Sequence, residues 1–287
     1  MAVSRISRQI LADLMRARTG QHMAPERDWR IDSALAPLFR RHGIDNADHL
    51  VCLLAQDRTG TLADQVVEAL LNNETYFFRD RAIFDALRDE VLPELAARAP
   101  ARRLSLWCAG CSTGQEPLSL AILGDQVPAG PRNLSPAILA TDISGAAIAQ
   151  ARAGRYSQFE IQRGLTMRET VSYFTEADDG WQADPALLGR IHFGIHNLLD
   201  RPPDDAPFDL ITCRNVLLYF DPATRAVALG RLVSALTEGG VLLLGSGETL
   251  ESGHGLPLAP RPGLPGLFVR MAIGAAQPAP RRAGGRG

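Results

Sequence analysis

The chain has 287 residues, 46% hydrophobic and 22% charged, with a formal net charge of −2, which fits a globular protein of one large domain or a large and a small one. That balance excludes a general attraction for nucleic acid or an anionic membrane. All 30 basic residues are arginine, which excludes lysine Schiff-base catalysis and the lysine-bearing phosphate loop. Cys52, Cys108, Cys111 and Cys213 are too few for a disulfide scaffold. No long apolar core follows the N-terminal charges, and runs such as Val241–Leu244 are far too short to span a bilayer. A cytoplasmic protein with no direct membrane insertion is expected.

Residues 1–72 read as helices throughout. Ile6, Ile10, Leu11 and Leu14 recur at helical spacing after Ser4 or Ser7 as cap, and Thr19-Gly20 stops that helix. A second helix is expected over Asp28–His42, ending at Gly43, with Pro37 late in it. Ala47–Gln56 and Leu62–Leu71 follow as two more. After a long helix near Asp80–Arg98 the periodicity changes. Leu104–Ala109 is a short apolar run, and Pro117–Leu123 a helix. Ala137–Thr141 is a buried strand closing at Asp142, and Ser144 caps a helix through Ala151. Phe208–Cys213 is another strand. Asp221-Pro222 opens a helix to Leu236, and Gly239-Gly240 leads into the strand Val241–Leu244. Strands alternating with helices imply a largely parallel sheet covered on both faces, with right-handed crossovers. Residues of about 156–195 break this rhythm and read as a small inserted antiparallel β-subdomain, and the Pro/Arg/Gly-rich end over 275–287 reads as disordered. The division is thus a helical domain over 1–72 and an α/β domain over 73–274.

Two strand ends carry candidate chemistry. Leu104-Ser-Leu-Trp-Cys-Ala-Gly-Cys-Ser-Thr-Gly-Gln-Glu-Pro117 runs a strand into a glycine-bearing loop and then a helix. Gly110 and Gly114 would let the backbone pass close to a ligand, and a tight strand-to-helix turn would use them equally. Asp142 can accept both ribose hydroxyls of a nucleoside, or can cap the next helix. Nothing looks built to hold a pyrophosphate, and Glu116 at the helix start would repel one. A carboxylate there suits a cationic cofactor, which favours S-adenosylmethionine over nicotinamide; the alternative for Glu116 is a first-turn acid favoured by the helix dipole. Cys108 and Cys111 form a C-x-x-C with no second pair to complete a zinc site, and strand-end packing is the better reading. His192 and His196 lie in an alternating, strand-like context, which argues against a metal.

Four stretches together resemble the chemotaxis-receptor methyltransferase (CheR) family: Asn73-Glu-Thr-Tyr-Phe-Phe-Arg-Asp80, the Trp107–Pro117 loop, Ala140-Thr-Asp-Ile143, and Phe208-Asp-Leu-Ile-Thr-Cys-Arg-Asn-Val-Leu-Leu-Tyr-Phe-Asp221. Asn197-Leu-Leu199 and Gly239-Gly-Val-Leu-Leu-Leu-Gly-Ser-Gly-Glu248 add to them, in the family's order along the chain. The resemblance implies a helical N-terminal domain, a linker, and a Rossmann-like methyltransferase domain with an inserted β-subdomain. It also implies residue roles. Asn73, Thr75 and Arg79 match the cofactor-contacting linker, Glu116 and Asp142 the cofactor acids, and Asn197 and Leu198 the adenine-side pair. Arg214 and Asn215 match the loop after the fourth strand, and Tyr219 the tyrosine near the transferred methyl. The implied substrates are glutamate side chains of the cytoplasmic domain of methyl-accepting chemotaxis receptors.

Such a reaction needs no general base, because a glutamate side chain, with a reference pKa near 4.3, is already ionised at neutral pH. Orientation is what the enzyme must supply, and Arg79 is the natural carboxylate clamp. The chain departs from the family in two places. Its second helix offers only Arg30, Arg40 and Arg41 where relatives often carry several arginines for receptor docking. Tyr173-Phe-Thr-Glu-Ala-Asp-Asp-Gly-Trp181 has a single glycine where relatives that bind a receptor's C-terminal pentapeptide have Gly-x-Gly, so tail-independent action is expected. An enzyme with another acceptor, or a non-catalytic scaffold, are the rival readings. With no obvious self-association stripe, a monomer is expected.

Overall fold

The computed structural model describes residues 4–23, 29–127, 134–178, 180–250 and 255–272. Asp28 and the 275–287 tail, both named above, lie outside the described residues.

The helical region holds α1 (Arg5–Thr19), α2 (Trp29–His42), α3 (Ala47–Gln56) and α4 (Thr61–Leu70). Of the two candidate caps for α1, Ser4 is the one used: its side chain accepts the Ser7 amide, and Gly20 ends the helix at φ +74°. Leu11, Ile31, Leu35, Leu50 and Val66 close a small core of their own among these helices.

The long helix expected next is one continuous path in three segments. These are α5 (Arg81–Ala86), a π turn over Leu87–Val91, and α6 (Leu92–Arg98). The π turn lies just before Pro93, whose missing N–H leaves a carbonyl one turn back without its usual donor.

The remaining elements are β1 (Ser105–Ala109), α7 (Gln115–Gln126), β2 (Ala137–Asp142), α8 (Gly145–Ala153), β3 (Arg155–Tyr156), α9 (Gln158–Gln162) and α10 (Met167–Tyr173). They continue with β4 (Phe174–Ala177), β5 (Gly180–Ala183), α11 (Pro185–Leu188), β6 (Ile191–Ile195), β7 (Phe208–Cys213), α12 (Pro222–Ser234), β8 (Leu236–Leu244), β9 (Leu258–Pro260) and β10 (Leu267–Arg270). A seven-stranded sheet runs β6-β2-β1-β7-β8-β10-β9. Its first five strands are parallel, β10 runs antiparallel to them, and β9 pairs antiparallel with β10. Alternate residues feed two cores. Leu106, Ile138, Leu210 and Leu243 face one layer, while Trp107, Leu139, Ile211 and Leu242 face the other. Both faces are therefore buried, which is why these strands read as unbroken apolar runs.

β3, β5 and β4 form a separate antiparallel sheet. The sequence reading carried this insertion to residue 195, but Ile191–Ile195 pairs in parallel with β2. The strand alternates buried Ile191 and Phe193 with exposed His192, a pattern an edge strand of either sheet would show. Capping boxes at Ser157/Glu160 and Thr166/Glu169 start the two helices of the insertion.

The chain order around the sheet places a switch point between β1 and β7. The chain winds outward from β1 to β2 and β6, then returns to β7 and β8. A crevice opens outside the carboxyl ends of strands at such a point.

Candidate active site

At the end of β1 the backbone turns through Gly110 (φ +83°) and Ser112 (φ +51°). The Gly110 and Cys111 amides donate to the Thr141 carbonyl at 2.7 and 2.9 Å. The Ser112 amide donates to Asp142 Oδ2 at 2.8 Å and the Ser144 amide to Oδ1 at 2.9 Å. Ser144 itself caps α8 through the Ala147 amide, so Asp142 is not that helix's cap. Burial pushes the Asp142 carboxyl up from its ordinary value, while the Ser144 and Ser112 amides pull it back and the Glu68 charge adds to the rise. Each Asp142 oxygen keeps acceptor capacity for a ligand hydroxyl.

The two glycines of this loop have different duties. A Cβ on Gly110 would lie 2.5 Å from Val216 Cγ2, so its absence lets the loop after β7 close against the loop after β1. A Cβ on Gly114 would lie 2.9 Å from both Ala151 Cβ and the Tyr156 hydroxyl. Gly114 therefore serves packing against α8 and the insertion, which favours the strand-to-helix turn of the two readings its sequence allowed.

Arg214 leaves the end of β7 and is buried under the linker. Its guanidinium donates to Glu116 Oε2 at 3.0 Å, to Asp80 Oδ2 at 2.7 Å and to the Arg79 carbonyl at 2.7 Å. Glu116 also accepts from Thr212 Oγ1 at 2.7 Å and from Cys108 Sγ at 3.3 Å. The charge of Glu116 is thus matched inside the protein. Its partner within the protein is Arg214, and Glu116 also lines the cleft. Burial pushes the Cys108 and Cys111 thiols well up, so both stay protonated and inert in the core. Arg79 is half-buried, donates to the Glu74 carbonyl at 3.3 Å, and has its guanidinium carbon 5.5 Å from the centre of the Tyr76 ring.

The third wall comes from the loop after β7. Asn215 sits at φ +60°, and a short 3₁₀ turn over Leu217–Tyr219 follows. The Tyr219 hydroxyl accepts from Asn72 Nδ2 at 2.5 Å. The Asn215 side-chain oxygen is buried with no hydrogen-bond partner among the described residues, an acceptor that a ligand donor could satisfy. Among the described residues, the non-glycine residues with positive φ are Phe78, Asp80, Ser112 and Asn215. Two line the crevice and two bracket Arg79, as strained positions at working sites do.

These walls enclose a cleft of about 790 Å³, its open mouth included. Asn73, Thr75, Arg79, Gly110, Glu116 and Asp142 all line it, as do Asn197, Leu198, Arg214, Asn215 and Tyr219. These eleven candidates therefore reach one cavity, which Gly114 does not line. Sequence reasoning missed Thr19 and Gln21, which bring the helical domain into the wall. The Asn197 side chain donates to the Arg18 carbonyl at 3.3 Å, the His22 amide donates to the Tyr219 carbonyl at 2.7 Å, and Gln21 bridges to Phe220. Glu68, also missed, accepts from Ser144 Oγ and, at 3.1 Å, from the Gly145 amide. No sequence pattern signals these contacts, because each joins residues far apart in the chain.

A sheet with a parallel core, an acid closing its second strand and a crevice at the switch point define the class: a Rossmann-like α/β fold. A family model described as "CheR methyltransferase, SAM binding domain" matches residues 73–257. A chemotaxis protein methyltransferase, Cher2, of Pseudomonas putida is 36% identical over 82% of this chain and 86% of its own length. Chemotaxis protein methyltransferase 1 of Pseudomonas aeruginosa is 36% identical over 80% and 85%, and the Vibrio parahaemolyticus protein is 34% identical over 87% and 92%. Among solved structures, a glycopeptide N-methyltransferase with bound S-adenosylmethionine aligns at 14% identity, over 53% of this chain and 51% of its own, with a TM-score of 0.33.

The chain belongs to the CheR methyltransferase family. It is an S-adenosylmethionine-dependent methyltransferase. Among the described residues no helix is long and apolar enough to cross a membrane.

Proposed function

We propose that this protein transfers a methyl group from S-adenosylmethionine to glutamate side chains of the cytoplasmic domain of methyl-accepting chemotaxis receptors, in the cytoplasm. The products are glutamate methyl esters and S-adenosylhomocysteine. The observation that carries this reading is the convergence of the linker residues Asn73, Thr75 and Arg79 with Asp142 and Tyr219 on one cleft. The names of the relatives support the chemotaxis setting.

The bound cofactor supplies an electrophilic methyl on a positively charged sulfur. The residues present fit that group. Asp142 has free acceptor capacity for the ribose hydroxyls, with Asn197 and Leu198 on the adenine side. The unpartnered Asn215 oxygen suits the cofactor's ammonium. Arg79 can grip a carboxylate with its planar fork. Gly110 and Thr75 complete the wall, while Glu116 and Arg214 hold the linker and the β7 loop at their working distance. Tyr219 directs its hydroxyl to the reacting centre. The acceptor carboxylate arrives ionised, so orientation is the main contribution, worth up to about 7–11 kcal/mol of barrier.

Receptor docking falls to the helical domain, where Arg40 and Arg41 are exposed in the last turn of α2. The Arg30 side chain lies outside the described residues. Tail-independent action is proposed from the single glycine in the stretch Tyr173–Trp181. The hairpin strands of the insertion end at Ala177 and resume at Gly180, and Gly180 is needed for packing, since a Cβ there would lie 2.4 Å from the Tyr156 carbonyl oxygen. A monomer is sufficient for every role assigned here.

The test is transfer of labelled methyl from S-adenosylmethionine to a receptor cytoplasmic fragment, followed by alkali. Label released as methanol identifies a carboxyl methyl ester. A folded, cofactor-binding enzyme that leaves the receptor unlabelled sinks the acceptor assignment.

A further inference from the structure

The run Gly239–Glu248 belongs to the family resemblance, yet its last residue has no role above. Glu248 follows β8 and is only 7% exposed. A carboxylate is seldom buried without a cation beside it, and Glu248 makes no ion pair among the described residues. Its partners are backbone amides. Oε2 accepts from the Asn215 amide at 2.8 Å and from the Gly245 amide at 2.8 Å, and Oε1 accepts from the Leu218 amide at 3.1 Å. Charge-assisted bonds of this kind are the strong ones.

Asn215 and Leu218 bracket the segment that forms the cleft's third wall. Asn215 is held at φ +60° and carries the unpartnered oxygen, and Tyr219 directly follows Leu218. One carboxylate therefore ties the carboxyl end of β8 to both ends of this segment. The fit is close. A Cβ on Gly245 would lie 2.8 Å from Glu248 Oε2 and 2.9 Å from the Asn215 nitrogen. Asparagine tolerates the left-handed region, and the bond from its amide to Glu248 fixes the backbone there.

We propose that Glu248 is a positioning residue for methyl transfer, fixing the Asn215 side chain on the cofactor side through one oxygen and the Tyr219 hydroxyl on the methyl side through the other. The inference rests on the sides assigned to Asn215 and Tyr219 above. The two oxygens can be separated by substitution. In Glu248→Gln, a side-chain oxygen placed as Oε2 keeps the Asn215 and Gly245 amides. The new NH₂ then faces the Leu218 amide, donor against donor, and loosens the turn before Tyr219. Glu248→Ala removes both anchors.

The experiment measures kcat for methyl transfer, the calorimetric Kd for S-adenosylhomocysteine, and thermal unfolding, on the full chain. Glu248→Gln is expected to lower kcat by about tenfold while Kd stays within about twofold. Glu248→Ala is expected to lower kcat by about a hundredfold, the scale of a small misplacement of reacting groups, and to raise Kd by about tenfold. A merely structural residue would lower the unfolding temperature and leave kcat and Kd per folded molecule unchanged, and that result overturns the proposal. If Glu248→Ala does not fold, Glu248→Gln carries the test, and a kcat within about twofold of the parent refutes it. The Kd arm needs no acceptor. A parent enzyme that binds S-adenosylhomocysteine but leaves receptors unlabelled would overturn the acceptor assignment, whereas an unchanged Kd in folded Glu248→Ala would overturn the positioning role.

Discussion

Replacing Arg214 with methionine tests the buried hub directly. The Arg214 side chain is 2% exposed and Glu116 13%, so neither charge is screened by water. Arg214→Met removes the cation and roughly fills its volume, leaving Glu116 with only Thr212 and Cys108. Breaking a buried pair from one side costs about 3–5 kcal/mol. That is a large share of a total stability of roughly 5–15 kcal/mol. Glu116→Gln should cost less, about 2 kcal/mol, because Arg214 keeps Asp80 and the Arg79 carbonyl. The double variant should then lose less than the sum, with a coupling of about 2 kcal/mol in the cycle. Urea unfolding followed by circular dichroism at pH 7 reads all four corners. Arg214→Met should also weaken S-adenosylhomocysteine binding, since the linker that bears Arg79 loses its tie to β7. A loss below about 1 kcal/mol for Arg214→Met, or strict additivity, would refute the account of Arg214 as a charge-matched anchor.

Asp142→Asn puts an NH₂ against one of the Ser112 and Ser144 amides and removes charge-assisted acceptors worth about 1.5–3 kcal/mol each, so calorimetry should show Kd for S-adenosylhomocysteine rising about ten- to a hundredfold. Tyr219→Phe removes the hydroxyl bonded to Asn72; kcat should fall about tenfold with Kd nearly unchanged, and an equal change in both would place Tyr219 in ground-state binding. Burial alone would push the Glu169 carboxyl up, but bonds from Arg81, Thr166 and Gln126 bring it down to about 2. A carboxyl lowered on folding stabilises fully above its unfolded pKa, near 4.5, and that contribution disappears as pH falls toward 2. Since Arg81 is one-third exposed, about 2 kcal/mol of the roughly 3 kcal/mol upper limit should remain. Glu169→Gln should therefore unfold more easily than the parent at pH 7 but match it near pH 2.

The sequence by itself pointed to most of the elements and to eleven of the residues that line the cleft. Short apolar runs bounded by turn residues fit strands buried on both faces of a parallel sheet, and caps such as Ser144 and Asp221 start their helices by local hydrogen bonds that any neighbourhood would permit. Asp142, Gly110 and Asn215 were legible because a strand end or a resemblance marks them within a few residues. Tertiary structure alone decided how those residues are held. Glu116 read as a cofactor acid or a first-turn acid, and its pairing with Arg214, nearly a hundred positions away, left no local signal. Gly114 could serve a ligand or a tight turn by its sequence, and the packing of α8 against it favours the turn. The assignment of Ile191–Ile195 to the central sheet turned on which partner its backbone found, and alternation of burial is the same for both choices. The role of Glu248 lies entirely in three amides from two strand ends. Hydrogen bonds between distant segments leave no periodic trace in a sequence, because each needs only one donor and one acceptor brought together by the packing of everything else.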